Sequence, residues 1–304
     1  MHRARPSMKP NPQLKRRLDA LYRRGARRER AADDPIELAH RYRRPEDVEV
    51  AALIAAALSY GRVALFKPVA ARVLDALGPS PHAALLALDL PAVSARLAGV
   101  SYRFNRTADL IAFLLLLSQA VRRHGTLGAL FFACEGEGAR ERLAAFRRAL
   151  LAGSTAAVYG RDLRPRGLLQ LLPDAGAGSA AKRMYMLLRW MVREDAVDLG
   201  LWAAFGAGNL VMPIDTHVAR IARNLGLTKR RSADYRMAVE ITDALRALDP
   251  RDPVKYDFAL AHLGISGACP SRPSAAACAR CGLAGHCAPA LKGRRAATRR
   301  GPTS

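Results

Sequence analysis

The sequence is short of negative charge. Its 26 Asp and Glu face 49 Lys and Arg, which leaves a formal net charge of +23. Solubility needs far less, so the excess points to a polyanionic partner, and nucleic acid is the commonest one. A GC-rich coding bias would inflate Arg and Ala together, but it would not remove Asp and Glu. Long apolar runs are missing as well. The most apolar, Leu110–Leu117 (LIAFLLLL), falls well below the roughly 18–20 residues of a bilayer-crossing helix and reads as a buried core helix. No membrane association is therefore expected. The start, MHRARPSMKP, has no apolar stretch behind its charges, which argues against a secretory signal. Asp19, Glu29, Asp33 and Asp34 argue against a mitochondrial presequence, so a cytoplasmic, nucleoid-associated monomer is expected. Strand-type alternation with hairpin turns is absent. Cysteines are few and uneven: there are five, and four crowd between Cys269 and Cys287, unlike a secreted disulfide framework.

What is present is helical periodicity. Gln13–Arg30 can form a short amphipathic helix with Leu14, Leu18 and Leu21 on one face, interrupted at Gly25. Helices are predicted over Val48–Leu58, Val63–Leu77, Asp109–Arg123, Glu141–Leu151 and Ala181–Arg193, and later over Ser232–Leu248 and Val254–Leu263. Gly264 is read as the stop of the last one. Between them, Asp215 can cap a helix whose apolar stripe is Val218, Ile221, Ala222 and Leu225, ending at Gly226. The fold class is all-α. The expected organisation is a basic extension over 1–34, a helical lobe over 35–208 and a second helical lobe over 209–288. A basic, disordered tail is expected over 289–304.

The cysteines read Cys269-x8-Cys278-x2-Cys281-x5-Cys287. Four thiolates on a short loop can wrap one metal centre, with Cys278 and Cys281 as the chelating pair and the outer two closing the shell. A structural zinc also takes four cysteines, but such sites more often use two C-x2-C knuckles. An iron–sulfur cluster, taken as [4Fe-4S], is therefore favoured, with structural zinc as the first alternative and no metal as the second. Cys134, alone in FFACEGEG, reads as a small core residue, and His286 as a loop residue.

The segment Val211–Leu227 (VMPIDTHVARIARNLGL) resembles the Asp-Thr-His segment of endonuclease III and its relatives in the helix–hairpin–helix DNA glycosylase superfamily. Further along, those enzymes end a helix at a glycine and then place a four-cysteine iron–sulfur loop. Ala261-His262-Leu263-Gly264 and the cysteines stand in that order here, with a first gap slightly longer than the family's. Upstream, Glu49–Arg62 is similar to the family's early barrel helix ending in a Leu-Ser-Ala-Gln turn, with Tyr60 near the glutamine position. The resemblance thus runs through most of residues 45–288. SAAKRMYMLLRWMVR and PIDTHVARIARNLGLTKR also resemble a bacterial group known only as a domain of unknown function. The glycosylase resemblance implies a two-lobed fold: a six-helix barrel-like lobe, a degenerate helix–hairpin–helix near 170–183, and a cysteine cluster loop at 269–287. It also implies a double-stranded DNA partner.

A glycosylase flips a base and breaks its N-glycosidic bond through an oxocarbenium-like state at C1′. A carboxylate beside C1′ stabilises that charge, and the resemblance assigns this to Asp215. As a plain helix cap, Asp215 would contribute about 0.5–2 kcal/mol. A lyase also needs an amine nucleophile. The family's lysine follows a Leu-Pro-Gly-x-Gly-x-Lys hairpin whose backbone N–H groups approach a phosphate. Here the stretch is Leu172-Pro173-Asp174-Ala175-Gly176-Ala177-Gly178-Ser179-Ala180-Ala181-Lys182. Two extra residues separate Leu-Pro from the glycines, and counting from the glycines puts Ala180 at the lysine position. Lys182 then lies about 200° further around a running helix. Three readings follow: a remodelled hairpin that delivers Lys182 as the nucleophile, a monofunctional enzyme using Asp215 and water with Lys182 on a phosphate, or a noncatalytic iron–sulfur protein that binds DNA without cutting it. Archaeal 8-oxoguanine glycosylases show a similarly long Lys-to-Asp separation. Contacts with DNA are expected from Gly176, Gly178, Ser179, Arg183, Arg220, Arg223, Lys229 and Tyr60, with Arg230 and Arg231 nearby. Tyr102, Phe104 and Trp190 are further stacking candidates, Trp190 reading better as core.

Overall fold

A computed structural model describes residues 11–25, 34–272 and 274–289. The tail expected over 289–304 lies almost wholly outside them. The described residues are helical with no strand, and backbone pairing outside helices is limited to isolated bridges such as Ser179 with Asp234. The protein is all-α. No described helix is long and apolar enough to cross a membrane.

The chain divides into two compact units. One takes Asp34–Ala177 and Arg183–Phe205. Its longest helix, Thr107–His124, buries Leu110, Ile111, Phe113, Leu114 and Leu117, the apolar run noted in the sequence. Pro45–Leu58 is buried from Asp47 to Leu58, so it carries no polar face at all over that stretch. Such a helix has to satisfy its two embedded carboxylates internally, and Asp47 accepts from Ser80 Oγ (3.0 Å) and the His82 N–H (2.8 Å). Glu49 does so by accepting from the Trp202 indole N–H (2.8 Å) and the Gly128 N–H (2.9 Å), and burial pushes its carboxyl above the ordinary range. Gly128 has to be glycine, because a Cβ there would lie 2.3 Å from Glu49 Oε1. Trp202 stacks on Phe131 at 4.6 Å between centroids, closing an aromatic cluster with Phe146 and Phe205.

The other unit takes the described residues up to Gly25, then Gly178–Lys182 and the described residues from Gly206 on. The helix Pro12–Gly25, expected as part of an extension, belongs to this unit: Leu14 and Leu18 are buried, and Gly25 comes so close to Ala259 that a Cβ would sit 2.9 Å from its side chain. Asp19 anchors it, accepting from Tyr256 (2.8 Å) and pairing with Lys15 and Lys255 (2.8 and 3.0 Å). Thr216–Asn224, Tyr235–Arg246 and Asp257–Ile265 complete the long helices. Gly264, expected as a stop, lies inside the last of these. Its role is contact: a Cβ on Gly264 would fall 2.6 Å from His217 Cβ, so the two helices cross on a bare backbone. The left-handed turn after this helix comes three residues past Gly264, at Gly267 (φ 74).

Candidate active site

Asp215 precedes the helix Thr216–Asn224 and caps it. Its Oδ1 accepts from the backbone N–H of His217 (2.9 Å) and Val218 (2.8 Å). Its Oδ2 accepts from Lys182 Nζ at 2.9 Å. One oxygen therefore holds the helix and the other holds the lysine. Burial alone would raise the Asp215 carboxyl, but Lys182 and the Val218 N–H outweigh it and hold the group below the ordinary carboxylate range. The pair stays within reach of solvent, with side-chain exposures of 37% for Lys182 and 19% for Asp215.

The reason Lys182 arrives is local. A 200° offset from the expected position presumes a helix already running at Ala180, whereas the helix begins at Lys182 and extends to Val192. Ala181, just before it, adopts φ 37, a left-handed conformation that non-glycine residues rarely take. The extra residues are absorbed in this non-helical approach. Gly178 (φ 81) turns the chain, its carbonyl accepts from Tyr235 N–H (3.1 Å), and exposed Ser179 bridges Asp234. Ahead of it, Gly176 donates its N–H to Asp174 Oδ1 at 2.8 Å, and its carbonyl accepts from Arg140 at 2.7 Å. Asp174 therefore places a carboxylate on an N–H that a phosphate-gripping hairpin would leave free.

Several expected DNA contacts are engaged elsewhere. Arg183 is largely buried and donates to the carbonyls of Ala57 and Gln170, with its guanidinium 5.0 Å from the Tyr60 ring centroid. Burial pulls its pKa down to about 10, and its hydrogen bonds tie the ends of two helices together. Tyr60 donates to Tyr102 O (3.0 Å) and Asn105 Oδ1 (2.5 Å), and its phenol is pushed up to about 12 by burial. Arg220 donates to Cys269 O at 2.5 Å. Arg223, exposed, reaches Arg231 O at 3.0 Å, Arg230 pairs with Asp234 (2.8 Å), and Lys229 is exposed. Trp190 is fully buried, Tyr102 is buried and Phe104 is 66% exposed.

Cys269, Cys278, Cys281 and Cys287 border one small cavity of about 30 Å³, otherwise lined by alanine, proline and Asn224. No group of three Cys, His, Asp or Glu side chains within ligating reach occurs among the described residues. The four thiols share this apolar hollow with no carboxylate on its wall. Cys269 is held by Arg220 on one side and by its own N–H to Leu263 O (2.8 Å) on the other. Burial raises the Cys269 thiol against the opposing pull of Arg220. Cys134 is half-buried at a helix end instead of in the core.

Fold and site together define an all-helical protein with a lysine–aspartate pair at a helix N-terminus and a four-cysteine loop beyond it. A family model described as "Protein of unknown function (DUF2400)" matches residues 34–266, and the chain belongs to that family. The match includes Lys182 and Asp215 and stops short of Cys269. No curated protein and no solved structure matches the chain.

Proposed function

We propose that the protein is a DNA base-excision repair glycosylase with lyase activity, acting on chromosomal duplexes through Lys182 and Asp215. The observation that carries this reading is the 2.9 Å pair between Lys182 Nζ and Asp215 Oδ2, with the other Asp215 oxygen fixed by its helix. The basic excess suits a duplex partner.

The pair can carry the chemistry as follows. Lys182 has to lose a proton before its nitrogen can attack, and Asp215 Oδ2 is an acceptor already in contact. The nitrogen then bonds to C1′ while the glycosidic bond breaks, its electrons leaving with the base, which takes a second proton from the attacking nitrogen. Asp215 returns its proton to O4′ as the sugar ring opens, and the nitrogen lone pair closes the C1′ iminium. The carboxylate also stabilises positive charge at C1′ in the transition state. The four cysteines would hold a [4Fe-4S] cluster, which supplies no step here and orders the loop that begins at Cys269; structural zinc is the other occupant this donor set suits. Incubation with duplexes carrying 8-oxoguanine, uracil, thymine glycol or mispaired adenine tests the reading. Base release is expected from at least one and is lost in Asp215→Asn; no release across the panel overturns it.

Asp174 favours a second reading. A carboxylate bonded to Gly176 N–H weakens the phosphate grip of the hairpin, as in a protein that binds DNA without cutting it. That protein would bind lesion duplexes equally well with and without Asp215→Asn.

A further inference from the structure

A second cavity lies within the unit built on Thr107–His124, and of its lining the glycosylase reading uses only Phe104, as a stacking candidate. Its volume is about 1000 Å³, and Arg103, Phe104, Arg106, Asp109, Arg166 and Gln170 are on its wall. Its rim is a tight turn in which Tyr102 and Asn105 exchange backbone hydrogen bonds (2.9 and 2.8 Å), leaving Arg103 and Phe104 at the tip. Arg103 adopts φ 50, a strained conformation for a side-chain-bearing residue. The turn is held by bonds from three directions: Tyr60 to Asn105, Asn105 Nδ2 to Gly167 O (2.6 Å) and Tyr102 to the Tyr60 carbonyl (2.5 Å). Gly167 lets the walls close, since a Cβ there would lie 2.1 Å from Asp109 Oδ2 and 2.7 Å from Phe104 O. Strain kept by so many restraints marks a surface shaped for contact.

The charges point one way. Asp109 spends both oxygens internally, on the Tyr159 hydroxyl (2.8 Å) and the Arg106 N–H (2.9 Å). None of Arg103, Arg106 and Arg166 makes an ion pair among the described residues, and all three are exposed. The three guanidiniums line one cavity without ion-pair partners among the described residues, and arginine binds phosphate through paired N–H donors. Beside them Phe104 offers an exposed ring face, with the Arg103 guanidinium 5.8 Å from its centroid. Gln170 accepts from Asn105 (3.4 Å) through its oxygen, which leaves its amide N–H₂ to donate.

We infer that this cavity is a nucleotide site: Phe104 stacks on the base, Gln170 donates to the base edge, and Arg103, Arg106 and Arg166 take the phosphate. The ligand is one nucleoside phosphate, free or as a unit of a single strand. Base stacking on an aromatic ring within a basic groove is the general means of holding such a unit. The inference does not depend on Lys182 or Asp215.

Calorimetric titration of the full chain with dAMP, deoxyadenosine, inorganic phosphate and a five-residue oligo(dA) tests it. dAMP is expected to bind at least about tenfold more tightly than either of its halves. Phe104→Ala weakens dAMP and deoxyadenosine alike, while Arg106→Gln with Arg166→Gln weakens dAMP about tenfold and spares deoxyadenosine. All three side chains are exposed, so unchanged melting verifies the fold. Lys182→Gln leaves the titration unchanged. Tighter binding of the oligomer than of dAMP assigns the site to a strand, and equal binding to the free nucleotide; both uphold it. Absence of dAMP binding, phosphate binding as tight as dAMP, indifference to both sets of variants, or loss in Lys182→Gln overturns it.

Discussion

Lys182 Nζ stands 2.9 Å from Asp215 Oδ2 across 33 residues of chain, and the same carboxylate caps a helix with its other oxygen. The two duties of Asp215 are thus separated by atom, which makes them separable by mutation. Asp215→Asn keeps a cap acceptor and removes the charge; Asp215→Ala removes both. Urea denaturation is expected to show the Asn variant close to wild type and the Ala variant destabilised by about 0.5–2 kcal/mol. Both variants are expected to lose base release.

Gly264 is predicted to be intolerant. Gly264→Ala forces a Cβ to within 2.6 Å of His217 Cβ and 2.8 Å of its ring, next to the Asp215 cap. Overpacking of this kind costs about 1–3 kcal/mol. Gly285→Ala meets nothing within 4 Å and should leave the melting temperature unchanged. Thermal melts of the two variants, side by side, check this.

The N-terminal helix should loosen in acid. Burial alone would raise the Asp19 carboxyl, but hydrogen bonds from Lys15, Tyr256 and Lys255 outweigh it and bring it from 3.8 to about 2. A folded-state value below the unfolded one stabilises above the unfolded value, and that contribution fades as pH falls from about 4 toward 2. Amide exchange over Pro12–Gly25 is expected to accelerate selectively across that window. Asp19→Asn should show raised exchange already at neutral pH.

Removing the hairpin carboxylate should strengthen DNA binding. Asp174→Gly frees the Gly176 N–H and deletes a negative charge, so duplex affinity at low salt is expected to rise severalfold, with the gain shrinking as salt is added. Fluorescence anisotropy across a salt series measures both.

The four cysteines should act as a set. Purified anaerobically, the protein is expected to be brown and to hold about four iron and four sulfide per chain. Cys278→Ala or Cys281→Ala should abolish both. A colourless protein with one zinc would replace the cluster assignment.

Long amphipathic helices were legible in the sequence because their periodicity is set by burial: Val63–Leu77 is found where its pattern places it, and Asp215 caps as its position before the stripe implies. Short helices such as Pro81–Leu86 and Arg166–Leu171 were not, since six residues hold too few turns to show a period. Gly264 misled because glycine serves both as a helix stop and as a close-approach residue, and only the His217 contact tells them apart. The site was legible in its residue types and illegible in its register. The Lys182 offset could not reveal that Ala181 would break the helix, and the charge of Arg183 could not reveal its burial.

Borohydride trapping tests the central claim most directly. Wild-type protein incubated with a cleavable lesion duplex and borohydride should form a covalent protein–DNA adduct, and Lys182→Gln should form none while binding the same duplex with unchanged affinity. An adduct of equal yield in Lys182→Gln, or base release without any adduct in the wild type, would contradict the assignment of Lys182 as nucleophile.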